Sequence, residues 1–281
     1  MSLSDQQYQQ QYGPWALIAG ASEGIGLAFA QQLAAKGINL VLLSRSTAKL
    51  TEAASAITAQ HAVEIKVVAA DLTSESCLDD IRATTDGLEI GMLIYNAGAV
   101  HGAELFHDEP IEKPLGLVNL NCRGPVLLAH HFGQSMRERK RGGMIFLSSM
   151  AAFAGGSYVA TYSATKAFDI IFPQSLWHEL APYNVNVLCL IAGATRTPAM
   201  ASSGLDLSEQ KEGGPAIMES EDVANEGLAQ IANGPVWIAG EGNRATAEML
   251  AAAPRNDLVE GMSMATADLY GKPYIPVKPL A

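Results

Sequence analysis

The sequence predicts an α/β protein, a single doubly wound Rossmann-type domain with a parallel sheet and helices on both faces. Short apolar runs, typical of buried strands, alternate with longer segments in which apolar residues recur at helical spacing. A cluster of glycines separates the first apolar run from the first helical segment. Strands separated by segments of helix length indicate βαβ crossovers, and these crossovers place helices on both faces of a parallel sheet.

Seven strands and five intervening helices follow from this alternation. The predicted strands are 15–19, 39–43, 64–69, 91–95, 144–147, 185–191 and 236–239. The predicted helices are 25–36, 47–60, one beginning near Ser74, 114–140 and 158–181. In the first helix, Ile25, Phe29 and Leu33 share one face at four-residue spacing. Pro173 falls inside the last one, where a proline costs about 3 kcal/mol or forces a kink.

Three segments are expected from the composition along the chain. Residues 1–12 form a polar N-terminal segment, 13–240 the Rossmann-type domain and 241–281 a C-terminal extension with helices at 244–253 and 257–270. A loop at about 195–217 is rich in Gly, Ser, Ala and Pro, and long loops of this kind are often functional. Its apolar residues Met200, Leu205 and Leu207 are expected to close over an apolar ligand.

Composition and charge exclude several classes of protein. The 281 residues carry a net charge of −11, which would repel nucleic acid. No apolar run approaches the roughly 20 residues of a membrane span. The N-terminus lacks the regions of a secretory signal, and three widely spaced cysteines indicate reduced thiols, so a cytoplasmic protein is expected. The cysteines and histidines have no metal-ligand spacing, so no metal site is expected.

The glycine-rich turn at residues 20–26 predicts a dinucleotide site. It reads Gly-Ala-Ser-Glu-Gly-Ile-Gly between a strand and a helix, where glycines allow phosphates to approach the backbone and the helix N-terminus attracts them. The Gly-Lys-Ser/Thr of a Walker A loop is absent. At the end of the second strand, Arg45 stands where an acidic residue would hold the ribose 2′-hydroxyl of NAD, and an arginine suits the 2′-phosphate of NADP. Glu23 is expected to point to solvent.

Tyr162 and Lys166 form the candidate catalytic pair. Their four-residue spacing places both on one face of a helix, one turn apart. A free tyrosine has a pKa near 10, and a neighbouring ammonium stabilises its phenolate, which makes it a usable proton donor and acceptor.

Together these motifs resemble the classical short-chain dehydrogenases/reductases over residues 13–240. The matching motifs, in the family's order, are the glycine turn, Asp71-Leu72, Asn96-Ala97-Gly98, Asn121, Ser149, Tyr162, Lys166 and Thr197. The resemblance implies an NADP (NADPH) site formed by Gly20, Ser22, Glu23, Gly24, Ile25, Gly26, Arg45, Ser46, Asp71, Leu72, Asn96, Ala97, Gly98, Tyr162, Lys166 and Thr197. It also implies a homodimer or homotetramer.

The family's catalytic roles pass to matching positions of this chain. Tyr162 would donate or remove the alcohol proton, and Lys166 would assist it and bind the nicotinamide ribose. Ser149 would hydrogen-bond the substrate oxygen as charge develops. Asn121 would position a water that links Lys166 to solvent. Ser148 is the alternative to Ser149, but the family's spacing favours Ser149 and strand alternation turns Ser148 to the other face.

Four positions depart from the family's pattern. Ala19 replaces a Thr before the glycine turn, Tyr95 replaces the first Asn of Asn-Asn-Ala-Gly, and Ala192 replaces a Pro. Pro173 lies in a helix that commonly packs at the family's subunit interface, which puts the usual dimer geometry in question. None of these changes removes a catalytic group.

A narrower resemblance points to a hydrophobic substrate. Residues 12–15, 39–45 and 242–244 resemble hydroxysteroid dehydrogenases and long-chain 3-oxoacyl reductases. The expected substrate contacts are Ser149, Met150, Tyr158 and Tyr162. The expected activity is NADP(H)-dependent interconversion of a secondary alcohol and a ketone on a steroid-like molecule. The alternatives are a 3-oxoacyl reductase, a non-catalytic NADP-binding module, and a hydratase or lyase.

Overall fold

A computed structural model describes residues 3–98, 103–202 and 216–277. Its strands are β1 (Trp15–Ala19), β2 (Asn39–Ser44), β3 (Ile65–Ala69), β4 (Ile90–Tyr95), β5 (Gly142–Ser149), β6 (Val185–Ala192), β7 (Thr195–Arg196), β8 (Met218–Glu219) and β9 (Val236–Ile238). Within the described residues, seven of them form one parallel sheet in the order β3-β2-β1-β4-β5-β6-β9. The short β7 and β8 pair separately.

Helices connect the strands and extend beyond the last one. They are α1 (Asp5–Tyr12), α2 (Gly24–Ala35), α3 (Thr47–Thr58), α4 (Cys77–Thr85), α5 (Glu112–Val118), α6 (Gly124–Arg139), α7 (Ala160–Leu180), α8 (Pro198–Ser202), α9 (Ser220–Gln230), α10 (Glu241–Ala252) and α11 (Arg255–Leu269). The predicted doubly wound α/β class is confirmed.

Two hydrophobic clusters cover the two faces of the sheet. Successive side chains of a strand point to opposite faces. Accordingly, Ile18 of β1 packs in the cluster that contains buried residues of α2, α3 and α9. Its neighbour Leu17 packs in the cluster with buried residues of α4, α6 and α7. Both residues are fully buried, so β1 lies in the centre of the molecule.

The first residues of the chain form a helix that packs on the same core. Ser4 caps α1 in a reciprocal capping box with Gln7. Tyr8 and Tyr12 are buried, and the hydroxyl of Tyr12 donates to Oδ1 of Asn186 at 2.9 Å. Residues 1–12 are polar in composition, but two aromatic side chains at helical spacing, Tyr8 and Tyr12, pack in the core.

The helix expected over 114–140 is interrupted by a π-helical turn at Asn119–Arg123. The hydroxyl of Tyr95 donates to the carbonyl of Leu120 at 2.6 Å inside this turn. A Cβ at Gly124 would lie 2.1 Å from that hydroxyl, so the glycine makes room for it. Tyr95, the departure from the family's Asn, thus satisfies a backbone group in the widened turn.

Helix α7 continues through Pro173 as a single element. The proline is buried, whereas Ile171 two residues earlier is 64% exposed. Pro173 has no N–H with which to bond the carbonyl of Asp169. The interruption therefore falls at one backbone bond and does not end the helix.

The sheet order places a crevice between β1 and β4. The chain runs outward from β1 to β3 and then crosses back to β4, so the connections leave on opposite sides of this point. Open parallel sheets bind ligands at such a switch point, at the carboxyl ends of the strands. Among the residues described, no helix is long and apolar enough to cross a membrane.

Candidate active site

A cavity of about 1350 Å³ opens at the carboxyl ends of the strands. Its wall includes fifteen of the residues predicted for the cofactor, namely Gly20, Ser22, Glu23, Gly24, Ile25, Arg45, Ser46, Asp71, Leu72, Asn96, Ala97, Gly98, Tyr162, Lys166 and Thr197. Ser149 also lines it. Residues distant in the chain are therefore brought to one cleft.

The glycine turn is held by the ends of β2 and β4. The backbone N–H of Gly20 donates to Leu43 at 2.8 Å, and Nδ2 of Asn96 donates to the carbonyl of Gly20 at 3.1 Å. Gly20 has a φ of +81°, a left-handed conformation that favours glycine. Gly26 is buried beneath the turn, and a Cβ there would lie 2.0 Å from the carbonyl oxygen of Gly20. The turn keeps its shape because these positions carry no side chain.

The N-terminus of α2 is left open toward the cavity. Glu23 occupies the N-cap but makes no capping bond with its side chain, so the first N–H groups are free for an anion. Its carboxylate pairs instead with Lys49 at 2.5 Å, and both residues line the cavity. Glu23, expected from the sequence to point to solvent, therefore forms an ion pair with Lys49.

Two positively charged side chains, Arg45 and Lys49, lie at the far end of the cavity. Asp71 lines the same cavity and accepts hydrogen bonds from the backbone N–H and the hydroxyl of Thr73. These bonds hold the pKa of Asp71 below its usual value, and the charge of Arg45 adds to the effect. This end combines two cations with a carboxylate that stays ionised.

The candidate catalytic pair lies at the other end, on α7. Lys166 is only 6% exposed, and its Nζ donates to the carbonyl of Leu147 at 2.7 Å and to Oδ2 of Asp169 at 2.9 Å. Tyr162 is half-buried and lines the cavity one helical turn earlier. An ammonium and a phenol thus share one face of α7.

The two serines at the end of β5 differ in their partners. The hydroxyl of Ser148 is buried and donates to the backbone carbonyl of Lys166 at 2.7 Å. Ser149 is half-buried, and its oxygen accepts from the N–H of Ala151 at 3.2 Å, which leaves its proton for another acceptor. This arrangement favours Ser149 as the group that meets a substrate oxygen.

Asn121 lies in the π-helical turn and is fully buried. Its Nδ2 donates to the hydroxyl of Thr165 at 2.9 Å, but its Oδ1 has no partner. That oxygen and Nζ of Lys166 both lie within 3.5 Å of a Cβ placed on Gly98. A buried, unsatisfied acceptor beside the lysine suits the water that the family resemblance assigns to this position.

Met150 and Tyr158 do not line the cavity, unlike the other expected substrate contacts. The hydroxyl of Tyr158 instead donates to the carbonyl of Pro273 at 2.6 Å, beyond α11. Leu205 and Leu207 of the expected loop lie outside the described residues, and Met200 lines the cavity.

Three residues near the site were not identified from sequence. Lys49 lies one helical turn after Ser46, and Asp169 lies three residues after Lys166, so both were detectable by helical spacing. Tyr270 comes from the C-terminal extension, and burial followed by the proximity of Tyr162 raises its pKa to about 12. No local pattern in the sequence could have placed Tyr270 near Tyr162.

Comparisons with known proteins identify the family to which the chain is similar. A family model described as short chain dehydrogenase matches residues 14–207. The chain is 31% identical over 252 residues to a 7β-hydroxysteroid dehydrogenase of Clostridium sardiniense, across 90% of this chain and 95% of that protein. A solved structure of a 7β-hydroxysteroid dehydrogenase superposes with a TM-score of 0.83 at 28% identity, covering 93% of this chain and 99% of the other. A short-chain dehydrogenase from Sphingobium yanoikuyae in complex with NADPH superposes with a TM-score of 0.76 at 28% identity, covering 85% and 92%.

Proposed function

The chain belongs to the short-chain dehydrogenase family of oxidoreductases, as its motifs predict, and from this premise we propose its specific activity. It is an NADP(H)-dependent enzyme that interconverts a secondary alcohol and a ketone on a hydrophobic, steroid-like substrate. One observation supports this most: Ser149, Tyr162 and Lys166 converge at one end of a cavity whose other end holds the open glycine turn. An intact catalytic set argues against a non-catalytic module and against a hydratase or lyase.

The site fits a nicotinamide dinucleotide. The glycine turn can keep its tight shape beside the cavity because Gly26 has no side chain, since a Cβ there would lie 2.0 Å from the carbonyl oxygen of Gly20. The free N–H groups of α2 would hold the pyrophosphate. Lys166 would hold the nicotinamide ribose through the N–H that Leu147 and Asp169 leave unused. The bound cofactor supplies or accepts the hydride.

The protein supplies the proton and stabilises the charge. During ketone reduction, the hydroxyl of Tyr162 donates its proton to the substrate oxygen. The hydroxyl of Ser149 donates a hydrogen bond to the same oxygen. The ammonium of Lys166 stabilises the phenolate that Tyr162 becomes. Alcohol oxidation runs through the same groups in reverse.

Arg45 is proposed to select NADPH over NADH, a preference also supported by the similar structure that holds NADPH. Replacing Arg45 with alanine is expected to weaken NADPH binding about 10- to 100-fold, the value of one or two charge-assisted bonds. NADH binding should change little because it lacks the 2′-phosphate. Fluorescence titration of both cofactors measures this. Arg82→Ala, which removes an exposed arginine paired with Asp86, is the matched control, and an equal loss for NADH and NADPH would contradict the assignment.

The C-terminal extension is proposed to form the wall of the substrate region. Arg255 donates to the carbonyl of Phe153 at 2.9 Å, and the N–H of Ser157 donates to the hydroxyl of Ser263 at 3.0 Å. These bonds fasten α11 to the segment that follows Ser149. Tyr270, which follows α11, packs in the same small hydrophobic cluster as Tyr158.

Replacing Tyr270 with alanine is therefore expected to raise the KM for a bulky ketone by about tenfold, the value of part of a buried aromatic contact. The affinity for NADPH should not change, because Tyr270 lies outside the wall of the cofactor cavity. Steady-state kinetics with a steroid ketone and with a small aliphatic ketone provide the comparison. An equal rise in KM for both substrates would show that Tyr270 does not contact the bulky part.

A panel of ketones and alcohols, each assayed with NADPH and NADH, tests the proposed activity. Turnover of steroid ketones with NADPH is the expected result. Preferential turnover of long-chain 3-oxoacyl thioesters would support the 3-oxoacyl reductase instead. NADPH binding without turnover of any substrate would support the non-catalytic module, and turnover of only small polar ketones would overturn the hydrophobic substrate.

The homodimer or homotetramer implied by the resemblance is supported by exposed apolar side chains. Leu115 on α5 is 54% exposed, Val126 on α6 is 42% exposed and Ile171 on α7 is 64% exposed. Helix α5 packs beside α7. Large apolar side chains left exposed on neighbouring helices are typical of subunit interfaces.

A further inference from the structure

Asp169 is a buried carboxylate to which the catalytic scheme gives no role. It is 2% exposed and lies on α7, three residues after Lys166. Its Oδ2 accepts from Nζ of Lys166 at 2.9 Å, and both side chains are nearly inaccessible to solvent. Asp169 therefore forms a buried ion pair with the lysine that assists Tyr162.

The other titratable groups that face Asp169 are neutral. Tyr95 approaches from β4, Cys122 from the π-helical turn and Cys189 from β6. Burial and then the negative charge of Asp169 raise the pKa of each, that of Cys122 to about 11. Within the described part of the chain, Lys166 is the only cation that lies beside Asp169.

Burial alone would make it costly for Lys166 to carry a charge. An ammonium removed from water tends to release its proton unless an anion lies beside it. Burial lowers the pKa of Lys166, but the carboxylate of Asp169 and the phenol of Tyr162 raise it, and the net change is upward. Neutral lysine could neither stabilise a phenolate nor donate three hydrogen bonds.

We propose that Asp169 is a positioning residue that keeps the buried Lys166 ammonium charged and directs its one unused N–H into the cleft. Two of the three donors are occupied, by the carbonyl of Leu147 from β5 and by the carboxylate of Asp169. These two acceptors determine where the third donor points. This inference rests on the proposed oxidoreductase function, because it concerns the lysine that assists Tyr162.

The isosteric substitution Asp169→Asn tests the proposal through its dependence on pH. Without the anion, the pKa of Lys166 falls, so the ammonium is present at low pH and is lost as the pH rises. The kcat/KM of the variant, divided by that of wild type and measured from about pH 6 to pH 9, is expected to fall as the pH rises. The decline should approach roughly tenfold per pH unit above the lowered pKa. A ratio that stays constant across this range would overturn the proposal.

A binding measurement separates this inference from the proposed function. Fluorescence titration with NADPH needs no turnover, and the Kd of Asp169→Asn is expected to rise with pH more steeply than that of wild type. Asp169→Glu, which keeps the charge, should restore much of the wild-type profile. Asp86→Asn, which removes an exposed partner of Arg82, is the matched control and should leave the profile unchanged. Inactive wild-type protein would refute the function, whereas a pH-independent Kd ratio would refute only the role of Asp169.

A folding defect would also be informative. If Asp169→Asn does not accumulate as folded protein, the double variant Lys166→Met/Asp169→Asn removes both buried charges. Recovery of folded protein in the double variant would support the proposal, since it would show that the uncompensated ammonium caused the defect. Failure of the double variant to recover would overturn it.

Discussion

Replacing Tyr162 with phenylalanine is expected to reduce kcat by roughly 100- to 10,000-fold, the usual contribution of one positioned acid–base group. The substitution removes only the hydroxyl, so the half-buried ring should keep its place on α7. Lys166 keeps both of its acceptors, the carbonyl of Leu147 and the carboxylate of Asp169, because neither bond involves Tyr162. NADPH binding should therefore remain close to that of wild type.

Stopped-flow or steady-state NADPH oxidation with the best ketone measures the loss, and fluorescence titration measures the binding. Tyr183→Phe is the matched control, because its hydroxyl accepts a bond from Arg137 on an exposed surface away from the cavity. Turnover of the Tyr162 variant at more than a tenth of the wild-type rate would remove Tyr162 from the role of proton donor.

The elements that could be predicted from sequence are those determined by local pattern. Apolar runs and helical spacing gave the seven strands of the main sheet in their correct places, with ends that shifted by a few residues. The glycine turn and the pair Tyr162 and Lys166 depend on short spacings, and the fold brings them to one cavity. Each of these features depends on residues that lie close together in the sequence, within one strand, one turn or one helix.

The features that could not be predicted depend on contacts between distant parts of the chain. The π-helical turn depends on the hydroxyl of Tyr95, which reaches Leu120 from a neighbouring strand. The position of Tyr270 depends on how α11 folds back across the segment after Ser149. Periodicity shows which side of an element is buried, but it does not show which element covers it.

The substitution Gly26→Ala is expected to have the largest effect on cofactor binding among single methyl additions. Its Cβ would lie 2.0 Å from the carbonyl oxygen of Gly20, 2.7 Å from Nδ2 of Asn96 and 2.8 Å from the carbonyl carbon of Gly20. Two of these atoms belong to the backbone of the turn, which cannot move aside as the end of a flexible side chain can. The first turn of α2 must therefore shift away from β1, and the N–H groups that face the cavity shift with it.

Loss of this anion site should weaken NADPH and NADH alike, by at least about 100-fold, because the pyrophosphate is common to both. This outcome differs from that of Arg45→Ala, which should weaken only NADPH. Gly261→Ala is the matched control: a Cβ there meets nothing within 4 Å, and it lies inside α11, where alanine favours the helix. Circular dichroism and thermal unfolding would confirm that the Gly26 variant stays folded. If it stayed folded and bound both cofactors with wild-type affinity, the glycine turn would not be the pyrophosphate site, and Arg45 would have to be reinterpreted as a surface arginine.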